Sequence, residues 1–160
     1  MLDTTSRSVA ADGRKEPPMA KEVLTEIVFK GGMRFDGKSG RAGKPVAIDF
    51  TPEGEAIDGF SPLELLLTSL AGCSGQVTIG LLKRMGQEVR DLTVHVRGEK
   101  REIHPTVLTS VELEFEFRGG RVDGPSVEKA LALSEERFCP VWVMLKASTP
   151  ITAKYRLLAD

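Results

Sequence analysis

Between Ser61 and Gly86 the chain reads SPLELLLTSLAGCSGQVTIGLLKRMG, and its apolar positions recur every three or four residues. Leu63, Leu66, Leu67, Leu70, Ser74, Val77, Leu81 and Met85 fall on one helical face. Leu65, Ile79 and Leu82 carry apolar character round to other faces, and after Glu64 the next charges are Lys83 and Arg84. This pattern predicts a long helix buried on most sides. Ser61 is a good N-cap, Pro62 suits the first helical position, and Glu64, three residues after Ser61, completes a capping box. Gly86 is placed to stop the helix. At about 1.5 Å per residue the helix would be about 36 Å long, enough to cross a small domain. Ala71, Gly72, Gly75 and Gly80 leave room for a neighbour to approach its backbone.

Elsewhere the period changes to two. Val23–Lys30 is β-branched and aromatic and predicts a strand, ended by the turn signal Gly31-Gly32. Met33–Phe35 is a short strand followed by a second turn signal, Asp36-Gly37, and Pro45–Phe50 is a third strand. Thr51–Phe60 reads as a loop. Beyond the helix, Leu92, Val94 and Val96 alternate with Thr93, His95 and Arg97, and His104-Pro105 breaks that strand. Val107, Val111, Leu113, Phe115 and Phe117 face one way and Glu112, Glu114 and Glu116 the other in the clearest strand of the chain. Arg118–Pro125, with three glycines, reads as a turn. Pro125 or Ser126 opens a second helix that Pro140 ends or kinks, Val141–Lys146 adds a further helical turn or two, and Ile151–Leu157 alternates as a last strand. Strands at both ends of the order suggest antiparallel sheets packed on the long helix, an α+β fold.

Residues 1–20 are polar, carry Pro17-Pro18 and show no period; they read as a disordered tail in which Met19 is an alternative start. Residues 21–160 then form one domain, with 41% hydrophobic and 28% charged residues over the whole chain, long enough to bury a core. A net charge of -1 gives no reason to expect nucleic acid or an anionic membrane as partner. Thr68, Ser69, Ser74, Gln76 and Thr78 interrupt the long helix, so no membrane span is indicated, and the N-terminus lacks the apolar stretch of a signal peptide. Two cysteines 66 positions apart are not a disulfide scaffold. A reducing, cytoplasmic setting is the expectation.

The chemistry must come from few residues. Cys139 stands before Pro140; if Pro140 opens a helical segment, Cys139 is its N-cap, and the unpaired N–H groups there favour the thiolate. The alternative is a small buried apolar side chain. Cys73 lies in mid-helix, where packing is the usual role, but a second thiol within reach can turn a sulfenic acid into a disulfide. Glu64 is accounted for by the capping box. Arg34 and Arg41 flank the early strands, and an arginine near a thiolate would stabilise it. His95 is on a polar strand face and His104 at a strand end. Their spacing from the cysteines matches no zinc site, and there is no phosphate-loop, dinucleotide or GxSxG motif, so neither cofactor nor metal is expected.

The long-helix run, followed by LTVHVRGEKREIHP and then LALSEERFCPVWVML, resembles the OsmC/Ohr family of hydroperoxide-reducing proteins from about Val23 to the C-terminus. The resemblance implies an α+β fold with two six-stranded sheets shared by an intertwined homodimer around the long helices. It implies a peroxidase in which Cys73 attacks the peroxide and Cys139 resolves it, reversing the local ranking of the two thiols. It also implies an arginine and a glutamate holding the thiolate. Arg34 is the best match for the arginine, with Arg41 second. The family glutamate directly follows the helix-start proline, where this chain has Leu63; Glu64 comes one position later. That Leu-Glu pattern resembles the OsmC-like branch of the family. The resulting expectation is a thiol-dependent peroxidase for organic hydroperoxides or H₂O₂, reset by an external dithiol. Two rivals are a dimer that binds a small apolar ligand or senses redox state, and a structural dimer whose cysteines stand too far apart to bridge.

Overall fold

In a computed structural model the described residues are 21–41, 43–50 and 58–159. The tail expected over residues 1–20 and most of the loop expected over Thr51–Phe60 lie outside them. Strands β1 (Thr25–Gly31), β2 (Arg34–Ser39) and β3 (Val46–Asp49) form an antiparallel sheet in that order. Gly31 and Gly32, at φ 105° and 58°, make the predicted turn in a backbone region that glycine enters without strain. Asp36-Gly37 does not turn the chain. Gly37 lies inside β2, where a side chain would meet Ile27 and Ile48 at 3.6 and 3.5 Å, so its missing side chain leaves room for theirs.

Helix α1 (Pro62–Arg84) opens with both bonds of the predicted capping box: the Ser61 N–H donates to the Glu64 carboxylate at 2.7 Å, and the Glu64 N–H donates to the Ser61 hydroxyl at 3.3 Å. Leu70, Ser74, Gly75, Thr78, Leu81 and Leu82 form its buried face. Only some of its small residues serve close packing. A methyl group on Gly75 would touch Val94 at 3.5 Å, whereas Gly72 and Gly80 face open space. By length and composition alone, α1 is apolar enough to cross a membrane; its buried face is part of the core.

Strands β4 (Glu88–Lys100) and β5 (Leu108–Arg121) pair antiparallel, and β6 (Ile151–Leu158) pairs with the other edge of β5. This last pairing is parallel, a departure from the expected antiparallel sheets. Between β5 and β6 run α2 (Gly124–Leu133), a π turn (Ser134–Phe138) and α3 (Pro140–Leu145), and they return the chain to the end where β5 began. The glycines read as a turn at 119 and 120 belong to β5. Gly120, at φ 81°, would set a methyl group 2.0 Å from the Glu88 carbonyl, so they mark a close approach of two strands. The Asp123 carboxylate caps α2, accepting from the Ser126 N–H at 2.8 Å.

The core lies between α1, the inner face of the second sheet and the α2–α3 segment. Val111, Leu113, Phe115 and Phe117 fill it from β5, as the alternation predicted, with Leu70, Leu82, Val127, Ala130, Cys139 and Trp142 from the helical side; Val107, expected on the same face, precedes β5 and is exposed. Burying a side chain of Leu or Phe size stabilises by about 1.5–3 kcal/mol, and every buried apolar side chain among the described residues belongs to this core. On the outer face Glu112 pairs with Lys154, and Glu114 and Glu116 with Arg156. The first sheet contributes no residue to this core, and Ile27 and Phe29 of β1, with Met33 in the turn after it, are more than half exposed.

Candidate active site

The two cysteines meet at the core from different elements. Cys73 is half-buried in the middle of α1; Cys139 is fully buried between the π turn and α3. Pro140 lacks an N–H and cannot continue a helix, so the backbone becomes extended at Cys139, with φ -94° and ψ 101°. The π turn lets the Cys139 N–H reach the Ser134 carbonyl five residues back, at 3.0 Å. The chain then re-enters a helix, and the Cys139 sulfur accepts from the Trp142 N–H at 3.4 Å. Cys139 is therefore the N-cap that the Cys-Pro step predicted.

Its acidity is the opposite of the expectation. The Cys139 thiol is raised from 9.0 to about 11, first by burial and then by the Cys73 thiol, which hydrogen-bonds it and opposes a second charge beside its own; the backbone N–H groups of Trp142 and Val141 pull the other way and are outweighed. A capping position favours a thiolate only where solvent or a cation shares its stabilisation, and at zero exposure desolvation wins. The same contact makes the two sulfurs neighbours, at odds with a dimer whose cysteines stand out of each other's reach. Neither is in a disulfide.

The remaining candidates lie away from the two sulfurs. Arg34 stands opposite Asp49 in the β2–β3 pairing, and its Nε–H donates to the Asp49 carboxylate at 3.1 Å. It lies in the first sheet, outside the core that holds the thiols. Arg41 follows β2, exposed, with its backbone N–H on the Ser39 hydroxyl at 3.2 Å. Glu64 is exposed in the capping box, and the Ser61 N–H, then the Ser61 hydroxyl, hold its carboxyl below the usual range. Nine residues of helix separate it from Cys73, about 13.5 Å along the axis and about half a turn around it, so the two side chains leave α1 on opposite faces. Leu63, Leu67, Leu108 and Phe50 wall a cavity of about 460 Å³ at the start of α1, with Glu64 and Lys100 at its polar parts. His95 lies on the outer sheet face, 3.5 Å from Glu116, and His104 is exposed. Among the described residues no three of His, Cys, Asp and Glu cluster in a way that could hold a metal ion.

The sequence profile of the OsmC-like protein family matches residues 53–154. The chain belongs to that family. It is 31% identical over 128 residues to protein YhfA of Escherichia coli K12, an alignment covering 80% of this chain and 92% of YhfA. The fold is shared with a hypothetical protein from Aquifex aeolicus VF5 at TM-score 0.77 and 27% identity, covering 88% of this chain and 99% of the other. It is also shared with the organic hydroperoxide resistance protein OhrB of Bacillus subtilis, at TM-score 0.60 and 16% identity over 83% of this chain and 98% of OhrB.

Three features of this OsmC-like site were not read from the sequence. Asp49 is the one buried acidic or basic side chain among the described residues; a charged residue closing the apolar strand Val46-Ala47-Ile48 was the available signal. The Trp142 N–H on the Cys139 sulfur follows from the cap, three residues on. The Ser134 hydroxyl and the Trp142 indole N–H are buried without a partner, on either side of Cys139. Each such group costs about 1–3 kcal/mol, so the segment that presents Cys139 is locally expensive to hold in place.

Proposed function

We propose that this OsmC-like protein is a thiol-dependent peroxidase acting on organic hydroperoxides or H₂O₂. The observation that carries the reading is the Cys73–Cys139 contact, in which a partly buried thiol meets a fully buried one kept protonated. The Cys73 thiolate attacks the terminal peroxide oxygen, the O–O bond breaks, and the alkoxide or hydroxide leaves with a proton as alcohol or water. Cys73 becomes a sulfenic acid. Cys139 then forms the S–S bond and water departs. An external dithiol returns both to thiols by exchange. Arg34 serves as the cation that steadies the thiolate. Glu64 enters through the helix start that its capping bonds fix. The name of OhrB supports a peroxide as substrate, and a reducing, cytoplasmic setting would supply the dithiol.

The reading includes a homodimer. A three-stranded sheet with Ile27 and Phe29 on it, and Met33 and Phe50 beside it, more than half exposed needs an apolar face to cover it, and a second copy supplies one. Arg34 would then reach Cys73 of the other copy. The test measures consumption of cumene hydroperoxide with dithiothreitol by native protein and by Cys73→Ser, with sedimentation to give the oligomeric state. Turnover abolished in Cys73→Ser is expected; no turnover by native protein at any peroxide tried sinks the enzyme reading. The apolar cavity beside Leu63 favours one rival, a dimer that holds a small apolar ligand. Native mass spectrometry of gently purified protein would reveal a retained mass in that case.

A further inference from the structure

We infer that Asp49 is a positioning residue for the thiol chemistry, acting through Arg34; this rests on the peroxidase reading above. Asp49 belongs to a sheet that is otherwise largely exposed, yet its own side chain has no exposed surface, while that of Arg34 is half exposed. In the ion pairs of the second sheet both partners keep contact with water, from Arg121 with Glu88, each more than half exposed, to Glu116, which still keeps 19% beside Arg156. A carboxylate withdrawn from water persists as a charge only when donors and a cation meet it. Asp49 accepts from the Arg34 Nε–H at 3.1 Å and from the Asp58 N–H at 3.0 Å.

The second bond gives the pair its reach. Asp58 lies three residues before the cap of α1, and the same junction is tied by the Asp49 N–H to the Phe60 carbonyl and the Phe60 N–H to the Ala47 carbonyl, both at 3.0 Å. Asp49 thus joins the strand pair that carries Arg34 to the start of the helix that carries Cys73. A guanidinium presents its N–H donors in a rigid planar fork, so a bond through Nε fixes the direction of the whole group. The acidic residue at the head of α1 does not take this role, because Glu64 is bound to Ser61 and its neighbour Leu63 is apolar. The carboxylate that orients the arginine comes from β3.

The test uses the full-length reduced protein as native, Arg34→Gln, Asp49→Asn and the double variant. Two rates are followed: iodoacetamide alkylation at Cys73, located by mass spectrometry across pH, and cumene hydroperoxide turnover with dithiothreitol. Asp49→Asn keeps an acceptor for the Asp58 N–H while removing the charge. A positioning role predicts a higher pH midpoint for Cys73 alkylation and a fall in kcat/KM of about tenfold or more, with neither changed further by Asp49→Asn once Arg34 is Gln. A midpoint that stays put or falls, or an equal effect in both backgrounds, overturns the inference and leaves Asp49 a structural ion-pair partner. If Asp49→Asn does not fold, Asp49→Glu replaces it: a midpoint between native and Arg34→Gln supports the role and a native midpoint overturns it. If native protein turns over no peroxide, the peroxidase reading fails, and the alkylation midpoints still decide the inference about Asp49.

Discussion

The raised pKa of Cys139 makes a stability prediction whose size and sign follow from its burial. Folded, the thiol holds its proton to about 11; unfolded, it releases it near the ordinary 9.0. Between those values the unfolded chain binds fewer protons than the native one, so stability falls as pH rises. Below about pH 9 the contribution is fully present. At about 1.4 kcal/mol per pH unit the complete loss is about 3 kcal/mol, of which about 2 kcal/mol is spent by about pH 10.5. The measurement is urea unfolding of reduced native protein and of Cys139→Ser at steps from about pH 8 to about pH 10.5. Serine can still cap α3 but does not ionise, and the lysines and the tyrosine cancel in the difference between the two. That difference should move against the native protein by about 2 kcal/mol over the range. Burial is the larger cause and Cys73 the lesser, so Cys73→Ala should retain most of the effect. A difference that is flat with pH would refute the claim that desolvation governs this thiol.

Other expectations follow from single contacts. Gly120→Ala should cost about 2–4 kcal/mol in urea unfolding, because it adds a positive-φ strain to a methyl group that cannot coexist with the Glu88 carbonyl 2.0 Å away; a cost near zero would contradict the pairing of β4 with β5 at Gly120. Ser61→Ala should cost about 1 kcal/mol as a lost N-cap. It should also weaken the acid dependence that Glu64 contributes: with its carboxyl held below 4.5, that contribution is complete above 4.5 and lost as pH falls through the lowered value. Trp142 is the one tryptophan in the chain, and its backbone N–H holds the Cys139 sulfur. One equivalent of cumene hydroperoxide should therefore change the fluorescence of native protein and leave that of Cys73→Ser unchanged; the same response in both would detach the signal from the thiol pair.

The parts of the fold that could be read directly are those governed by near neighbours. The three-and-four spacing of α1, its Ser61–Glu64 box, the strict alternation of β5 and the cap at Cys139 all depend on residues within one or two turns. The parallel entry of β6 does not, since the partner of Ile151 is Val111, forty positions away and settled by how α2 and α3 pack. Asp36-Gly37 and Gly119-Gly120 show that a glycine signals room as often as a turn, and only the facing strand tells which. The same limit applies to the site. That Cys139 caps a helix was legible from Cys-Pro; that burial overrides the cap was not, because burial belongs to the tertiary structure. Asp49 was passed over for the same reason, as a charge at the end of a four-residue strand that only the packed junction encloses.

The parallel strand has a consequence for the order in which the protein can be made. β5 is the middle strand of its sheet, and one of its edges stays open until the last eight-residue strand has emerged from synthesis and crossed back. That crossing is the segment that carries Cys139 to Cys73. Contacts so distant in sequence form slowly, and an unfilled edge in the interim is a template for the wrong strand. The thiol pair is thus built on the crossing itself, whose helices pack on α1, and a protein shortened before Ile151 would keep both cysteines but leave that edge of β5 open.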